Sequence, residues 1–512
     1  MNPAFAAALA DLPQLAAQHL LLSGCALLVA VVLGSAVALW LVRRPSARAP
    51  VLGAIALAQT IPAIALLALF YPALVLAGQV TTLPIPALGF LPAFLALSLY
   101  ALLPIVRNGV AALESIDPAV IEAADAMGMT GRQRLMRVEL PLGAPIWLAG
   151  IRTAAVWTIG TATLATTVGQ SSLGNLIFSG LQTEDWPRVL VGCCAAALLA
   201  LLVDGLLALI ETGVARRSPG RLLAGGALIA TLLAAAGLVA FAPNARAAPI
   251  IIGAKNFSEQ YILAALIEDR LTAAGYRVER RDNLGSAIAY RALAAGDVDV
   301  YVDYSGTLWA NVLQRRDTPP PGRMLEELGT ALKQRDNVRL LGPLGFENAY
   351  ALAMKRSRAQ ALNIRSLDDL AAAAPKLRLA SDLEFLNRPE WRALAAAYGL
   401  RFADQRAYSP TFMYRAIGDG SADLISAFTS DGRIAALDLV TLADPRHALP
   451  NYDAILLLSP RRASDRRFVD VLQPLVRAIP IDRMRQANLM VDRTQDKRTP
   501  AEAARWLLPR AP

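Results

Sequence analysis

The chain has 512 residues, of which 55% are hydrophobic and 18% charged, and its formal net charge is +9. It is too long for one ordinary domain, and its apolar content excludes a wholly soluble protein. The arginines are scattered through the second half and form no basic block with interleaved aromatic residues, which argues against a nucleic-acid partner.

Cysteine and histidine usage excludes two further kinds of site. Cys25, Cys193 and Cys194 all lie in apolar runs, so the second half cannot carry a disulfide framework. The two histidines, His19 and His447, are far apart and have no cysteine cluster beside them. The sequence therefore predicts no metal site and no cofactor.

Long charge-poor runs fill roughly the first 245 residues and predict membrane-spanning helices. A span needs about 20 mostly apolar residues, and six segments qualify: about 19–42, 51–76, 84–106, 144–168, 189–212 and 222–242. If the spans alternate in direction, flanking arginines such as Arg43, Arg107, Arg137 and Arg216 share one side, which is then cytoplasmic. We therefore expect a multi-pass protein of the bacterial inner membrane, with the N-terminus and everything after residue 243 outside the cytoplasm.

Two features of the last two spans have alternative interpretations. Arg216-Arg217-Ser-Pro-Gly-Arg221, an apolar run and Ala245-Arg-Ala-Ala248 imitate a signal peptide with its cleavage site. Because the run is long enough to span a membrane, we favour an uncleaved anchor and linker over residues 216–248. Asp204, inside the fifth span, is a functional candidate, but pairing within the helix bundle is the favoured interpretation.

The loop between the third and fourth spans, about residues 108–143, carries the most specific motif of the first half. It contains Glu122-Ala123-Ala124, then Gly128, then Val138-Glu139-Leu140-Pro141. Small alanines let a short helix pack closely, Gly128 permits a bend, and Pro141 is expected to end a second helix just before the fourth span. The pattern resembles the EAA loop of ABC-importer permeases, with Val138 in place of the usual Ile.

This resemblance implies that another protein grips the loop, whereas the alternative is an ordinary amphipathic loop helix. The chain has no Gly-x4-Gly-Lys-Ser/Thr phosphate loop, so we expect ATP hydrolysis on a separate ABC ATPase subunit, present as a dimer. The second span, from Ala58 to Leu67, is similar to permeases of the osmoprotectant (betaine, choline, carnitine) uptake family. The resemblance implies an all-α transmembrane permease domain over residues 1–215, which pairs with a second copy in membrane lipid.

From about residue 249, short β runs alternate with amphipathic helices. The pattern comprises strands at 250–252, 276–278 and 298–304, and helices at about 257–274 and 285–296. It predicts an α/β domain with mainly parallel sheets. A second such group at 350–444 and a returning strand at 452–458 predict two lobes. Lobe 1 comprises about 249–345 with 446–512, and lobe 2 comprises about 346–445. Ligands of such sheets bind beyond the carboxyl ends of the strands.

Several stretches of this second half resemble the substrate-binding proteins of the same osmoprotectant family, which are two-lobed and similar to periplasmic binding proteins. The matching stretches are Lys255–Gln260, Asp303–Thr307, Pro343–Tyr350, Glu384–Arg388, Met413–Ile417 and Ser426–Gly432. The resemblance implies a substrate-binding domain over residues 249–512. The ligand contacts that it implies are Asn256, Gln260, Tyr304, Thr307, Tyr350, Arg388, Tyr414 and Thr429.

The chemistry of a quaternary ammonium fits these tyrosines. Such a group cannot donate a hydrogen bond, so its selective binding requires aromatic faces. Tyr304 shares one face of its strand with Val300 and Val302, whereas Tyr301 points the other way and is expected to pack. Asn256 followed by Glu259 suggests a variant capping box, and Ser305-Gly306-Thr307 is expected to open a helix whose N-terminus favours an anionic group such as a carboxylate.

The identity of the ligand stays open at this point. Glycine-betaine binders of the family tend to have a fourth tyrosine, which is missing between Tyr304 and Tyr350, and Trp309 and Tyr290 are the possible substitutes. The fused architecture also resembles uptake systems for ergothioneine. The sequence therefore predicts an importer of a small quaternary-ammonium solute, of the glycine betaine, choline or carnitine type, with ergothioneine as the alternative.

Two other classes of function are alternatives to an importer. A membrane-anchored ligand sensor would use the same binding domain, but it has no need of an intact motif between Glu122 and Pro141. A membrane-anchored enzyme has no support, because no nucleophile, base and orienting residue form a recognisable set. We therefore expect a transport subunit and not an enzyme.

Overall fold

The computed structural model describes residues 3–81, 83, 85–183, 185–240, 249–315, 317, 319–382, 385–446, 448–449, 451–493 and 495–508. The chain divides into two compact units, Met1–Ile177 with Pro187–Ala245, and Phe178–Trp186 with Arg246–Pro512. The predicted linker from Pro243 to Ala248, and Glu384 of one matched stretch, lie outside the described residues.

The described residues between 3 and 240 form helices. These are α1 Pro3–Arg43, α2 Pro45–Thr60, α3 Ala63–Thr81, α4 Phe90–Glu114, α5 Pro118–Ala126, α6 Gly131–Arg134, α7 Leu140–Ala162, α8 Gly174–Gln182, α9 Trp186–Ala215 and α10 Pro219–Ala240. Short π and 3-10 turns flank α7. Within the described residues, five helical segments are long and apolar enough to cross a membrane, or six if α2 and α3 form one bent span. This confirms the predicted helical membrane region.

The second predicted span, 51–76, is wrong as a single helix, because α2 and α3 meet at a bend of 99°. Pro62 lacks a backbone N–H and disfavours helical geometry at the residue before it, and Ile61 has φ −68° and ψ 126°. The Ile61 carbonyl accepts a hydrogen bond from the Tyr100 hydroxyl, and Gln59 Nε2 donates to the Tyr100 carbonyl at 2.5 Å. The polar groups at the break are thus satisfied inside the protein, as a membrane environment demands.

The expectation that Pro141 ends a helix is also wrong. The helical path continues from α6 through a π turn, Leu135–Glu139, into α7. In this turn the Leu140 N–H donates to the Leu135 carbonyl, and Pro141 occupies the first turn of α7. A proline lacks the N–H of a regular helical turn, and a π turn is one of the local irregularities with which a continuous helix accommodates it.

An ion triad joins two of the apolar helices. Arg152 of α7 donates to both carboxylate oxygens of Asp204 on α9, at 2.9 and 2.8 Å, and to Glu211 at 2.7 Å. Ionisable groups within a membrane require such partners. The favoured interpretation of Asp204, pairing inside the bundle, is confirmed, and its partner Arg152 was not foreseen.

The second unit is an α/β domain with two five-stranded sheets. The first sheet has the order β2-β1-β3-β10-β4, and the second has the order β7-β6-β8-β5-β9. The strands are β1 Ile250–Lys255, β2 Val278–Leu284, β3 Val300–Tyr304, β4 Arg339–Glu347, β5 Tyr350–Lys355, β6 Arg378–Asp382, β7 Asp404–Tyr408, β8 Leu424–Phe428, β9 Leu439–Thr441 and β10 Asp453–Leu458. The two sheets confirm the predicted two-lobed α/β class, and β10 matches the predicted returning strand.

The sheets are mixed and not mainly parallel as predicted. β1 pairs in parallel with β2 and β3, but β10 is antiparallel to both β3 and β4. The second sheet has the same division, with β5 antiparallel to β8 and β9. The reason is the chain path, because strands that leave or return between lobes run against their neighbours. The second predicted strand is also shifted, from 276–278 to Val278–Leu284.

Helices cover both sheets and bury the apolar side chains between them. They are α11 Ser258–Ala273, α12 Ser286–Ala295, α13 Ser305–Asn311, α14 Pro321–Asp336, α15 Arg356–Ala361, α16 Leu367–Ala373, α17 Pro389–Tyr398, α18 Pro410–Gly418, α19 Arg433–Ala436, α20 Arg466–Leu472, α21 Ile481–Asp492 and α22 Pro500–Leu507. Every residue of β1 and β3 is buried, as expected for strands covered on both faces. Packing on both faces therefore fixes the positions of the carboxyl ends of these strands.

Candidate functional site

The loop of the first unit contains a short exposed helix, α5, whose ends are well defined. The Asp117 side chain caps it by accepting from the Ala119 N–H at 2.9 Å, and Gly128 follows it with φ +76°. This left-handed conformation favours glycine, which confirms that the chain bends at Gly128. Glu122 and Ala123 are exposed, Ala124 is buried, Leu140 is half-buried and Pro141 is exposed.

Arg134 of α6 forms ion pairs that connect α5 with the π turn after α6. It donates to Asp125 at 2.7 Å and to Glu139 at 2.7 Å. Between the start of α5 and the π turn's Met136, the exposed large apolar side chains are Val120, Met127 and Met136. A fixed helix with exposed apolar side chains is suited to contact with another protein.

A cavity of about 180 Å³ lies between the two lobes of the second unit. It meets the expectation for the carboxyl ends of the strands, because Lys255, Tyr304, Asp382 and Phe428, the last residues of β1, β3, β6 and β8, all line it. Residues from both lobes complete the lining, among them Asn256, Phe257, Glu259, Thr307, Asn348, Tyr350, Arg388, Asp431, Arg433, Tyr452, Asn488 and Asp492. The volume is below the roughly 300–1,000 Å³ of pockets for drug-sized ligands, which favours a small solute.

Five aromatic rings of the lining form a continuous chain of contacts. Phe257 lies 6.1 Å from Tyr304 and 6.2 Å from Phe428 between ring centroids, and Tyr350 lies 4.9 Å from Phe428 and 5.7 Å from Tyr452. Gly306 makes the position of Tyr452 possible, since a Cβ atom on it would lie 2.9 Å from the Tyr452 ring. The rings come from segments up to 195 residues apart in sequence, Phe257 and Tyr452 being the ends of that range.

Arg388 places a buried positive charge beside these rings. Its guanidinium carbon lies 5.3 Å from the centroid of the Tyr350 ring, and it approaches Thr307 Oγ1 at 3.5 Å. Glu390 pairs with it at 3.2 Å and also accepts from the Tyr452 hydroxyl at 2.6 Å. A guanidinium in such a position can hold a ligand carboxylate.

Glu259 places a buried carboxylate at the same cavity. It accepts from the Tyr304 hydroxyl at 2.6 Å, from Asn348 Nδ2 at 3.1 Å and from Asn488 Nδ2 at 2.9 Å. Burial raises its pKa above the ordinary value of 4.5, although these hydrogen bonds act in the opposite direction. The expected capping box is wrong, because α11 begins after Phe257 without a side-chain cap and Glu259 turns inward.

A second cluster of charged residues connects the two lobes. Arg433 pairs with Asp431 at 2.7 Å and with Asp492 of α21 at 3.9 Å. Burial raises the pKa of Asp492 from 3.8 to about 6, Arg433 acts to lower it, and Ser258 Oγ donates to it at 2.5 Å. Burial therefore moves the titration of the Asp492 carboxyl towards pH 6.

Of the eight predicted ligand contacts, the structure brings five to the cavity and leaves three outside its lining. Asn256, Tyr304, Thr307, Tyr350 and Arg388 line it. Gln260 is buried behind Tyr304 and donates to its hydroxyl at 3.0 Å. Thr429 Oγ1 accepts from the Ala349 N–H at 3.0 Å and so holds the first crossing between lobes. Tyr414 is buried in the core of lobe 2, with the Arg433 guanidinium carbon 4.0 Å from its ring centroid.

The possible substitutes for a fourth tyrosine do not line the cavity. Trp309 is fully buried and donates to the Asp317 carbonyl at 2.8 Å, and Tyr290 donates to Asp336 at 2.5 Å. Phe257, Phe428 and Tyr452 supply further rings instead. Phe257 and Phe428 both lie within matched stretches, so the sequence carries a signal for these two rings.

Two family models together match most of the chain. The model of the substrate binding domain of ABC-type glycine betaine transport systems matches residues 248–509, and the model of the binding-protein-dependent transport system inner membrane component matches residues 30–216. The order of the two matches along the chain agrees with the two units of the structure.

Curated relatives repeat this division. An ergothioneine transport permease/ergothioneine binding protein of Helicobacter pylori (strain G27) is 29% identical over 426 residues, which cover 80% of this chain and 74% of the relative. An osmoprotectant import permease protein of Salmonella typhimurium is 40% identical over 196 residues, 38% of this chain and 88% of the relative. A glycine-betaine-binding protein of Pseudomonas aeruginosa is 30% identical over 289 residues, 53% of this chain and 90% of the relative.

The two family matches agree with the structure, which has a helical membrane unit with its loop and a two-lobed unit with an aromatic cavity. The chain is an ABC importer component that joins an inner-membrane permease to a substrate-binding domain, and its second half belongs to the family of glycine-betaine-type substrate-binding domains.

Proposed function

We propose that this chain takes up a small betaine, a solute that carries both a quaternary ammonium group and a carboxylate. The observation that carries the proposal is the pairing of aromatic rings with a buried guanidinium in one cavity. Tyr304, Tyr350 and Phe257 present ring faces that attract a cation without requiring a hydrogen bond from it. Arg388 lies 3.5 Å from Thr307 Oγ1 and 5.3 Å from the centroid of the Tyr350 ring, so its guanidinium can pair with the carboxylate of the same small molecule.

The test is a set of calorimetric titrations of the full-length chain in lipid nanodiscs. Glycine betaine, choline, carnitine and ergothioneine are compared with glycine and other unmethylated amino acids. We expect at least one fully methylated compound to bind and its unmethylated analogue to bind far more weakly, because ammonium groups that bear hydrogens prefer carboxylates and water. Equal affinity for glycine and glycine betaine, without binding of the other methylated compounds, would overturn the proposal.

A second candidate ligand is ergothioneine, itself a trimethylated betaine. It is favoured by the Helicobacter pylori relative, whose match runs across both units of this chain and whose name records ergothioneine transport and binding. The same titrations rank the two candidates. A higher affinity for ergothioneine than for glycine betaine, choline and carnitine would assign the chain to this alternative.

Transport in this proposal is driven by a separate ABC ATPase dimer that grips α5 on the cytoplasmic side of the membrane. Two copies of the chain form the pathway in the membrane, and the substrate-binding unit lies outside the cytoplasm. The support is the loop itself, with exposed Glu122, the bend at Gly128 and the contacts that Arg134 makes to Asp125 and Glu139. Co-purification of an ATPase whose activity rises on addition of ligand would support the partner, whereas a ligand response without any bound ATPase would favour the sensor.

A further inference from the structure

Glu259 is a buried acidic residue at the cavity whose hydrogen bonds come from neutral groups. The Tyr304 hydroxyl, Asn348 and Asn488 donate to its two oxygens at 2.6–3.1 Å. The nearby basic groups pair with other carboxylates, Lys255 with Asp303, and Arg433 with Asp431 and Asp492. The Lys255 ammonium also lies 5.2 Å from the centroid of the Tyr304 ring. In the described part of the chain, no ion pair offsets the charge of Glu259.

Glu390 of α17 provides an internal comparison. It also accepts from a tyrosine of the lining, Tyr452, at 2.6 Å, but it pairs with Arg388 at 3.2 Å. The two tyrosine–carboxylate contacts are alike in geometry and differ in charge compensation. Tyr304 therefore donates to a carboxylate without an ion-pair partner among the described residues, whereas Tyr452 donates to one that Arg388 compensates.

A carboxylate that accepts from a phenol polarises the ring. Hydrogen bonds in a low-dielectric interior strengthen the dipoles that they join, and added negative charge on the Tyr304 oxygen makes the ring face more attractive to a cation. An uncompensated buried charge is costly, so a cation bound on the Tyr304 ring removes part of this cost. Burial raises the pKa of Glu259, as expected for an acid whose charged form is held in a low-dielectric site.

We propose that Glu259 is a specificity-determining residue that acts through Tyr304 and selects ligands with a permanent positive charge. The cationic group of the ligand lies at the Tyr304 end of the cavity and its carboxylate lies at Arg388. This inference rests on the proposed function, because it assumes a betaine-class ligand.

The deciding experiment compares two probes of one shape, glycine betaine and 3,3-dimethylbutanoate, in which carbon replaces the charged nitrogen. Their dissociation constants are measured by calorimetry or competition on the full-length chain in nanodiscs, and the ratio of the two constants is the readout. In the wild type we expect glycine betaine to bind more tightly. In Glu259→Gln the ratio should fall about tenfold, within the range of a cation–π and charge effect.

Two further variants separate this role from a structural one. Tyr304→Phe leaves Glu259 and both asparagines in place but removes the hydroxyl link, so the ratio should fall several-fold even if Glu259→Gln folds poorly. Glu390→Gln is the matched control, because it disturbs Arg388, which is assigned to the carboxylate that both probes carry. It should weaken the binding of both probes by a similar factor and leave the ratio unchanged.

Equal weakening of both probes in Glu259→Gln and Tyr304→Phe would overturn the inference and leave the proposed betaine uptake standing, since Glu259 would then only hold Asn348 and Asn488. If the wild type binds neither probe, glycine betaine is no ligand, and the inference falls with that part of the proposed function. A ratio near one in the wild type would also overturn it, because the cavity would then not sense the charge.

Discussion

The hydroxyl of Tyr452 donates to the carboxylate of Glu390 at 2.6 Å and so joins the returning strand of lobe 1 to helix α17 of lobe 2. Glu390 pairs in turn with Arg388 at 3.2 Å. The guanidinium that we assign to the ligand carboxylate is therefore held by residues of both lobes. Its position therefore depends on how the two lobes meet.

The first prediction concerns the aromatic cavity. Replacing Tyr350 with Ala should weaken betaine binding by about 0.5–2 kcal/mol through lost cation–π attraction, which is up to about 30-fold in affinity. Phe at this position should lose less than Ala, because it keeps the ring face. Calorimetry on the full-length chain measures both variants, and an unchanged affinity in Tyr350→Ala would show that the ring only packs.

Tyr414 supplies the matched comparison for that experiment. It is as buried as Tyr350 but does not line the cavity, so Tyr414→Ala should cost about 3–5 kcal/mol of folding stability. Its effect on ligand affinity, measured where the variant is still folded, should be smaller than that of Tyr350→Ala. A larger effect would restore Tyr414 as a ligand contact, as the family resemblance implies.

The second prediction concerns coupling. Gly128 has φ +76° with open space around its Cα, so Gly128→Leu strains the backbone without causing a clash and should displace α5. Uptake into membrane vesicles should be lost while ligand binding is kept. Gly131→Ala is the control, because it lies in the first turn of a helix with open space around it and should transport normally. Normal uptake by Gly128→Leu would show that the bend is not needed for coupling.

The third prediction concerns domain independence. The second unit has its own core and two complete sheets, so residues 249–512 expressed alone should be soluble and monomeric and should bind ligand. Size-exclusion chromatography with light scattering gives the oligomeric state, and calorimetry gives the affinity. Aggregation of this fragment in the absence of the membrane helices would contradict the prediction.

The fourth prediction concerns pH. Because burial raises the pKa of Asp492 from 3.8 to about 6, its folded form binds a proton more tightly than its unfolded form does. The stabilisation is complete below the unfolded pKa and is lost as the pH rises through about 6. The difference between the two pKa values corresponds to at most about 3 kcal/mol.

Urea unfolding of the 249–512 fragment between pH 4 and 7, approximately the range that the two pKa values span, measures this effect. In Asp492→Asn the free energy of unfolding should fall less steeply as the pH rises, because the titrating carboxyl is absent. Arg433, Asp431, Lys497 and Ser258 face the same carboxyl and stay in place in this variant. An identical pH dependence in wild type and variant would show that Asp492 does not titrate in this range.

The local sequence pattern was sufficient to predict many structural elements of this protein. Long apolar runs predicted the membrane helices, since a span needs only length and hydrophobicity. The period-two alternation around Tyr304 correctly separated the ring that lines the cavity from Tyr301, which is fully buried and donates to Asp303. The bend at Gly128 also followed from the residue type alone.

The tertiary structure decided which distant residues meet. The break at Pro62 depends on Tyr100 of another helix, which satisfies the Ile61 carbonyl. The inward turn of Glu259 depends on Asn348 and Asn488, which are 89 and 229 positions away. Sequence periodicity shows which face of an element a side chain occupies, but hydrogen-bond partners across a cavity depend on how separate elements pack. For that reason the predicted ring Tyr414 lies in the core, and Phe257, Phe428 and Tyr452 line the cavity.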